Sequence, residues 1–132
     1  MGGVRHLFVY GTLRRGSAVP LARELAARAA YCGAATVCGR LYSLGPYPGI
    51  LLGGGVADRV AGDVYELPME PDLLARLDAY EGCARHSPQP HEFGRVRAPA
   101  RLGDRPIDVW VYELVRPADS AQRIVEWPCD GA

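Results

Sequence analysis

The chain lacks lysine: its 15 basic residues are all arginines, and 15 acidic residues balance them. A chain without net charge does not favour the basic surface that nucleic acid or an anionic membrane requires. We interpret the missing lysine as a bias of genomic base composition and not as selection for phosphate recognition. We therefore expect a small molecule as the partner, with no nucleic acid and no membrane.

Long apolar runs are also lacking, since none approaches the roughly 20 residues of a membrane-spanning helix. Residues 1–16 contain only the short apolar segment 7–10, followed by arginines, which is unlike a secretion signal. The cysteines form no C-x-x-C pair, and the histidines lie at no zinc-site spacing from them. These features predict a cytoplasmic protein without a metal site, with reduced thiols at Cys32, Cys38, Cys83 and Cys129.

Length and composition predict a single domain. The 132 residues, 48% of them hydrophobic, are enough to build one core. We place this domain over residues 1–132, with its core at about residues 4–115 and a C-terminal tail that contains Pro117, Pro128 and Gly131. We expect a monomer or a weak homodimer.

Apolar patterns bounded by proline and glycine predict the secondary structure. Strands are predicted at residues 4–10, 36–44, 50–52, 60–67, 93–99 and 107–114, and helices at residues 21–30 and 71–80. The second helix should present Leu73, Leu74, Leu77 and Tyr80 on one apolar face. The strand 107–114 alternates as if one side were packed. The fold class is α+β: one small domain with a curved mixed sheet, largely closed into a barrel, and flanking helices.

The junction Tyr10, Gly11, Thr12, Leu13 is the first candidate site. A strand that ends at a glycine turns its next backbone amides out of the sheet, and glycine lets a ligand approach closely. Such a group of amides suits a carboxylate. The alternative is an ordinary turn at Gly11, followed by the solvated pair Arg14 and Arg15.

Glu81 is the second candidate, because it directly follows the predicted second helix and precedes Gly82. The negative end of the helix dipole, together with desolvation, would raise the pKa of this carboxyl towards the range of a proton shuttle. The alternative is a solvated glutamate at a helix end.

Four stretches together resemble the γ-glutamylcyclotransferase-like family, which includes the AIG2-like proteins. The run Val9-Tyr10-Gly11-Thr12-Leu13-Arg14-Arg15-Gly16 looks like its opening motif, and Leu41, Tyr42, Gly45, Tyr47, Pro48 and Gly49 resemble its second. Leu77-Asp78-Ala79-Tyr80-Glu81-Gly82 resembles the helix end with the catalytic glutamate. Val109-Trp110-Val111-Tyr112 is similar to a late strand of the family.

The resemblance implies an enzyme that releases 5-oxoproline and a free amine from a γ-glutamyl substrate, with no cofactor or metal. It assigns the substrate's α-carboxylate to the loop backbone of Tyr10, Gly11, Thr12 and Leu13, and proton transfer to Glu81. Tyr47 and Tyr112 would line the pocket or donate a hydrogen bond to the developing oxyanion. Ordinary aromatic packing is an equal alternative for each tyrosine.

The leaving amine stays open, because the loop 83–92 and the tail depart from the family pattern. Free γ-glutamyl amino acids, γ-glutamyl-ε-lysine fragments and γ-glutamyl-protected metabolites are all candidates. A polycationic substrate would need acidic residues at the mouth of the pocket, for which Glu92, Asp104 and Asp108 are available.

Two other functions compete with this one. Cys83 and His86 could act as the thiol and base of an amide hydrolase, although three residues of separation on a loop fix no geometry. The same fold could instead be a non-catalytic module that binds a γ-glutamyl group or another carboxylate. Glu81 argues against the second alternative, because binding a carboxylate does not call for another negative charge.

Overall fold

The computed structural model describes residues 3–55, 57–115 and 121–127. The strands are β1 (His6–Val9), β2 (Ala30–Ser43), β3 (Pro48–Leu52), β4 (Arg59–Glu66), β5 (Phe93–Leu102), β6 (Arg105–Leu114) and β7 (Gln122–Ile124), and the helices are α1 (Pro20–Arg28) and α2 (Asp72–Tyr80). Neither helix of these ranges is long and apolar enough to span a membrane. The predicted features at Pro117, Pro128, Cys129 and Gly131 lie outside the described residues.

The strands form one mixed sheet in the order β1-β4-β2-β3-β6-β5. A parallel contact between Leu7 and Trp110 joins β1 to β6, and β2 also pairs with β5, so the sheet curls into a barrel. The 14-residue β2 pairs with four strands along its length, and its pairing with β4 shifts register at a bulge between Tyr31 and Gly33, whose φ is +141°. The predicted α+β class, with a mixed barrel and flanking helices, is confirmed.

Apolar side chains form two clusters, one on each face of the sheet. Phe8, Tyr10, Val37 and Val111 belong to the cluster inside the barrel. Leu7 and its counterparts on the other face pack against the helices, including Leu25 of α1 and Leu77 of α2. Each such buried side chain stabilises the fold by about 1.5–3 kcal/mol relative to an exposed one. Strand β1 is therefore buried on both faces, which holds its C-terminal end in a fixed position.

Two expectations about faces are wrong. Strand β6 is packed on both sides at its end, because Val109 and Val111 face the barrel interior while Tyr112 and Leu114 join the cluster on the helical side. Tyr80 does not continue the apolar face of α2: it is 45% exposed, and its hydroxyl lies 2.8 Å from Thr12 Oγ1. This contact ties the end of α2 to the loop that follows β1.

Strand β7 is an element that the sequence did not predict. It pairs antiparallel with β2 through Leu41 and Ile124. Beyond it, Trp127 packs against the apolar cluster inside the barrel. Residues 121–127 therefore contribute to the same sheet and core as the rest of the chain.

Candidate active site

A cavity of about 420 Å³ opens where β1 ends, between the loop after β1, the segment before β3 and the end of α2. The seven residues that the sequence analysis assigned to a site all line it: Tyr10, Gly11, Thr12, Leu13, Tyr47, Glu81 and Tyr112. They come from positions up to about a hundred residues apart, and the barrel brings them to one end of the molecule.

The loop after β1 forms a tight turn, and two of its backbone amides donate no hydrogen bond within the described residues. The amide of Arg14 donates to the carbonyl of Gly11 at 3.0 Å, and the Ser17 hydroxyl donates to the carbonyl of Thr12 at 2.7 Å. Within the described residues, the amides of Thr12 and Leu13 donate to no acceptor. Two unpaired amides beside a cavity can hold a carboxylate.

Gly11 is required by a close approach of two segments. A Cβ atom at this position would lie 2.7 Å from Cγ of Pro48, which is shorter than a van der Waals contact. The glycine therefore lets the loop after β1 pack directly against the start of β3.

Arg14 holds this loop through two ion pairs. The sequence analysis did not identify this role. Its Nε donates to Asp63 Oδ2 at 3.1 Å, and its Nη1 donates to Glu126 Oε2 at 2.7 Å. Asp63, on β4, also accepts from the Arg15 amide and the Tyr31 hydroxyl, each at 3.1 Å. Arg14 is only 7% exposed, so the alternative of a solvated pair does not hold for this residue. The pairing links β4 to residue 126, and no local sequence pattern reveals it.

Glu81 lies at the end of α2, where a Schellman motif fixes the chain. The Gly82 amide donates to the carbonyl of Ala79 at 3.1 Å, and the Cys83 amide donates to that of Asp78 at 3.0 Å. Gly82 adopts the left-handed conformation that the motif requires, with φ +75°. The turn directs the chain so that the Glu81 side chain lines the cavity.

The pKa of Glu81 is raised from 4.5 to about 7, first by burial and then by the charges of Asp78 and Glu92. No residue of the described ranges donates a hydrogen bond to its carboxyl group that would offset this burial. The alternative of a solvated surface glutamate is therefore not what the structure shows. A carboxyl group with this pKa can accept and return a proton near neutral pH.

Asp78 lies one helical turn before Glu81 and, unlike Glu81, accepts hydrogen bonds from neighbouring side chains. Arg95 of β5 donates to both of its oxygens, from Nε at 2.8 Å and from Nη2 at 3.2 Å. The Tyr112 hydroxyl donates to Asp78 Oδ1 at 2.7 Å. The guanidinium of Arg95 lies 4.3 Å from the centre of the Trp110 ring. Asp78 and Arg95 are functional candidates that the sequence analysis did not name, although Asp78 falls within the third motif.

The two tyrosines line the cavity, but their hydroxyl protons are engaged. Tyr47 donates to Glu92 Oε1 at 2.6 Å, and Tyr112 donates to Asp78 as described. Burial and the Asp78 charge also raise the pKa of Tyr112, so its hydroxyl keeps its proton. In this arrangement both residues shape the cavity and position carboxylates, and neither offers a donor to an oxyanion. The Tyr10 hydroxyl likewise bonds the Tyr112 carbonyl at 2.6 Å, which leaves the backbone of Tyr10 for the cavity.

Of the three acidic residues considered for a cationic substrate, only Glu92 lies near the cavity, since its charge acts on Glu81. Asp104 lies in the turn between β5 and β6, and Asp108 pairs with Arg97 at 2.6 Å. Both belong to the opposite end of the β5–β6 hairpin, because the cavity is lined by Phe93 and Tyr112 at its open end.

The thiol alternative receives no support from the geometry. Burial and the charges of Asp78 and Glu81 raise the pKa of Cys83, which disfavours the thiolate that a nucleophile needs. His86 is exposed in the following loop. Cys32, Cys38 and Cys83 are free thiols. In the ranges that the structure describes, no group of three or more His, Cys, Asp or Glu residues is arranged to hold a metal.

Comparison with known proteins agrees with this geometry. The family model described as "Gamma-glutamyl cyclotransferase, AIG2-like" matches residues 7–128. No curated protein matches the chain significantly. An AIG2-like protein from Mus musculus has the same fold, with a TM-score of 0.75, 21% identity, and coverage of 96% of this chain and 90% of that one.

Two further solved structures are similar. Protein ytfP from Escherichia coli is 29% identical over 92% of both chains, with a TM-score of 0.63. A structure titled "Gamma-glutamyl cyclotransferase" gives a TM-score of 0.62 at 17% identity and covers 89% of this chain and 68% of that one. Because the family model spans nearly the whole sequence, this chain belongs to the AIG2-like γ-glutamyl cyclotransferase family.

Proposed function

We propose that this protein releases 5-oxoproline and a free amine from a γ-glutamyl amine, by attack of the substrate's own α-amine on its γ-carbonyl. The observation that carries the proposal is Glu81: a partly buried carboxyl group with a pKa of about 7 that lines the same cavity as the loop with unpaired amides. The family match supports a cyclotransferase-like enzyme and leaves the substrate open.

The loop after β1 holds the amino acid end of the substrate in this proposal. The amides of Thr12 and Leu13 would receive the α-carboxylate, in a turn that Gly11 allows to pack on Pro48. With the carboxylate fixed, the flexible side chain folds back until amine and carbonyl meet. Because the amine and the carbonyl belong to one molecule, the protein has only to fix the conformer that brings them together, which lowers the entropic part of the barrier.

Glu81 moves the protons. Its carboxylate takes a proton from the α-ammonium, which frees the nitrogen lone pair to form the C–N bond of the ring. The C–N bond to the leaving group then breaks, and the protonated Glu81 delivers a proton to the departing nitrogen. A second proton leaves the ring nitrogen after the attack and is taken up by the released amine, so in total the α-nitrogen goes from three hydrogens to one and the leaving nitrogen from one to three. The reaction therefore consumes no water and no net proton, and its balance calls for no oxidant or cofactor.

The cavity has room for the γ-glutamyl group. Its volume of about 420 Å³ lies within the range for ligand sites, and it does not by itself select the leaving amine. Glu92, held by Tyr47, is the acidic residue next to Glu81 that a cationic amine would meet.

The proposal is tested by incubating the protein with a panel of γ-glutamyl amines and identifying products by mass spectrometry. The panel should contain free γ-glutamyl amino acids, γ-glutamyl-ε-lysine and γ-glutamyl-protected metabolites. Glu81→Gln is measured beside the wild type, with Glu70→Gln as the matched control, since Glu70 is exposed and does not line the cavity.

We expect 5-oxoproline from the wild type and the control, and a loss of about 10²- to 10⁴-fold in kcat for Glu81→Gln. The substitution keeps the size of the side chain, so substrate binding should persist. Full turnover by Glu81→Gln would contradict the role of this residue. Free glutamate as the product would contradict cyclisation and would favour hydrolysis.

A further inference from the structure

We propose that Asp78 is a positioning residue that tunes Glu81: the clamp formed by Arg95 and Tyr112 fixes a negative charge one helical turn from the Glu81 carboxyl group. This inference rests on the proposed function and extends it to Asp78 and Arg95, which do not line the cavity. The sequence places Asp78 and Glu81 three residues apart at the end of α2, a spacing that brings side chains to the same face of a helix.

Asp78 is held in place by three side-chain hydrogen bonds. It accepts two hydrogen bonds from Arg95, at 2.8 and 3.2 Å, and one from the Tyr112 hydroxyl at 2.7 Å. The bidentate guanidinium and the phenol fix the orientation of the carboxylate. Arg95 is itself oriented by the Trp110 ring, 4.3 Å away. Two strands, β5 and β6, thus hold one carboxylate of α2 that lies beside the cavity.

The groups around Glu81 are mostly acidic or neutral. From its own helix it faces Asp78, and from the segment before β5 it faces Glu92, which Tyr47 holds. Cys83 follows in the next loop, and Tyr10 and Tyr112 come from β1 and β6. The guanidinium of Arg95 forms its ion pair with Asp78 and not with Glu81. Glu81 is therefore surrounded by like charges and by neutral hydroxyl and thiol groups, a setting that raises the pKa of a carboxyl group.

Two substitutions separate this role from a structural one, because they should move Glu81 in opposite directions. Asp78→Asn removes the like charge and releases Arg95, so Glu81 should lose its proton more easily. Arg95→Met keeps stacking bulk against Trp110 but leaves Asp78 uncompensated, so Glu81 should hold its proton more tightly. A purely structural defect would lower activity in both variants without opposite shifts.

The experiment measures the titration of the Glu81 side-chain carboxyl by carbon NMR on protein labelled at glutamate, assigned with Glu81→Gln, together with the pH dependence of kcat/KM. We expect the midpoint to fall by about one pH unit in Asp78→Asn and to rise in Arg95→Met. Asp104→Asn, which removes an exposed charge in the distant turn, is the control and should leave the midpoint unchanged.

The two readouts distinguish the possible failures. Unchanged Glu81 midpoints in both variants, or shifts in the same direction, would overturn the tuning role. If the wild type releases no 5-oxoproline while the NMR midpoints shift as expected, the proposed reaction fails and the tuning of Glu81 stands.

Discussion

Two carboxylates on either side of the loop after β1 show contrasting uses of burial. Asp63, 4% exposed, accepts hydrogen bonds from the Arg14 guanidinium, the Arg15 amide and the Tyr31 hydroxyl. Glu81, also desolvated, has Asp78 and Glu92 as charged neighbours, and its pKa is raised to about 7. The first carboxylate is satisfied and stabilises the loop, whereas the second is left poised to accept a proton.

In this small fold one buried carboxylate, Asp63, has a structural role, and another, Glu81, is suited to proton transfer. A buried charge is tolerated when partners satisfy it, and then it fixes geometry. A buried carboxyl without donors costs stability, which is typical of groups that act in catalysis. The loop that would bind the substrate lies between the two, held by Asp63 on one side and facing Glu81 across the cavity.

Asp63→Asn should give the largest loss of stability. The change leaves the buried Arg14 with the Trp127 carbonyl and one carboxylate, Glu126, whose side chain is 50% exposed, so we expect the free energy of unfolding to fall by about 3–5 kcal/mol. Urea unfolding measures this loss. Glu66→Gln on the same strand is the control: its pair with Arg5 is exposed, and about 1 kcal/mol or less should be lost. Equal effects of the two substitutions would contradict the role of Asp63.

Glu81→Gln should stabilise the protein at alkaline pH while removing turnover. The folded-state pKa of about 7 lies above the usual 4.5, so the folded state binds more protons and loses stability as pH rises between these values. At pH 8 the cost of ionising Glu81 is at most about 3 kcal/mol, and the glutamine avoids it. Below pH 4 the two proteins should differ little. Unfolding curves at pH 4 and pH 8 check this, and a wild type that is no less stable than the variant at pH 8 would contradict it.

Gly11→Ala should weaken the binding of substrate and also destabilise the fold. The added methyl group would lie 2.7 Å from Pro48 Cγ and would push the loop away from β3. Overpacking of this kind costs about 1–3 kcal/mol of stability. Because the Thr12 and Leu13 amides move with the loop, we also expect KM to rise about tenfold, a loss of about 1.4 kcal/mol in binding. Gly3→Ala is the control, since nothing lies within 4 Å of its Cβ position. An unchanged KM would separate the loop geometry from substrate binding.

Cys83→Ser should have the smallest effect. Its thiol has a raised pKa and no catalytic contact in the proposed mechanism, so kcat should stay within about twofold of the wild type. Treatment with iodoacetamide should likewise leave turnover in place. Loss of activity in the serine variant would revive the thiol mechanism.

Local sequence signals were enough for much of the fold. Pro20 and Gly82 bound the helices as proline and glycine usually do, and apolar alternation marked the strands. The start of β2, residues 30–35, was missed because Ala, Cys and Gly favour strands weakly, and only its pairing with β4 and β5 makes it a strand. Strand β7 likewise exists through its contact with β2.

The candidate site divides in the same way. Glu81 and the loop 10–13 could be found because a motif occupies consecutive residues. Arg14 with Asp63 and Arg95 with Asp78 are separated by 49 and 17 residues, and only the packing of a loop and a helix against the sheet brings them together. Their spacing along the chain carries no signal that a single sequence could reveal.

The central claim is that the substrate's own amine, and not water, attacks the γ-carbonyl. The most direct test is to run the reaction in water labelled with oxygen-18 and to measure the masses of the products by mass spectrometry. Ring closure predicts 5-oxoproline without the label and an equal amount of free amine. Glutamate that carries one labelled oxygen would show that water attacks, and would contradict the account.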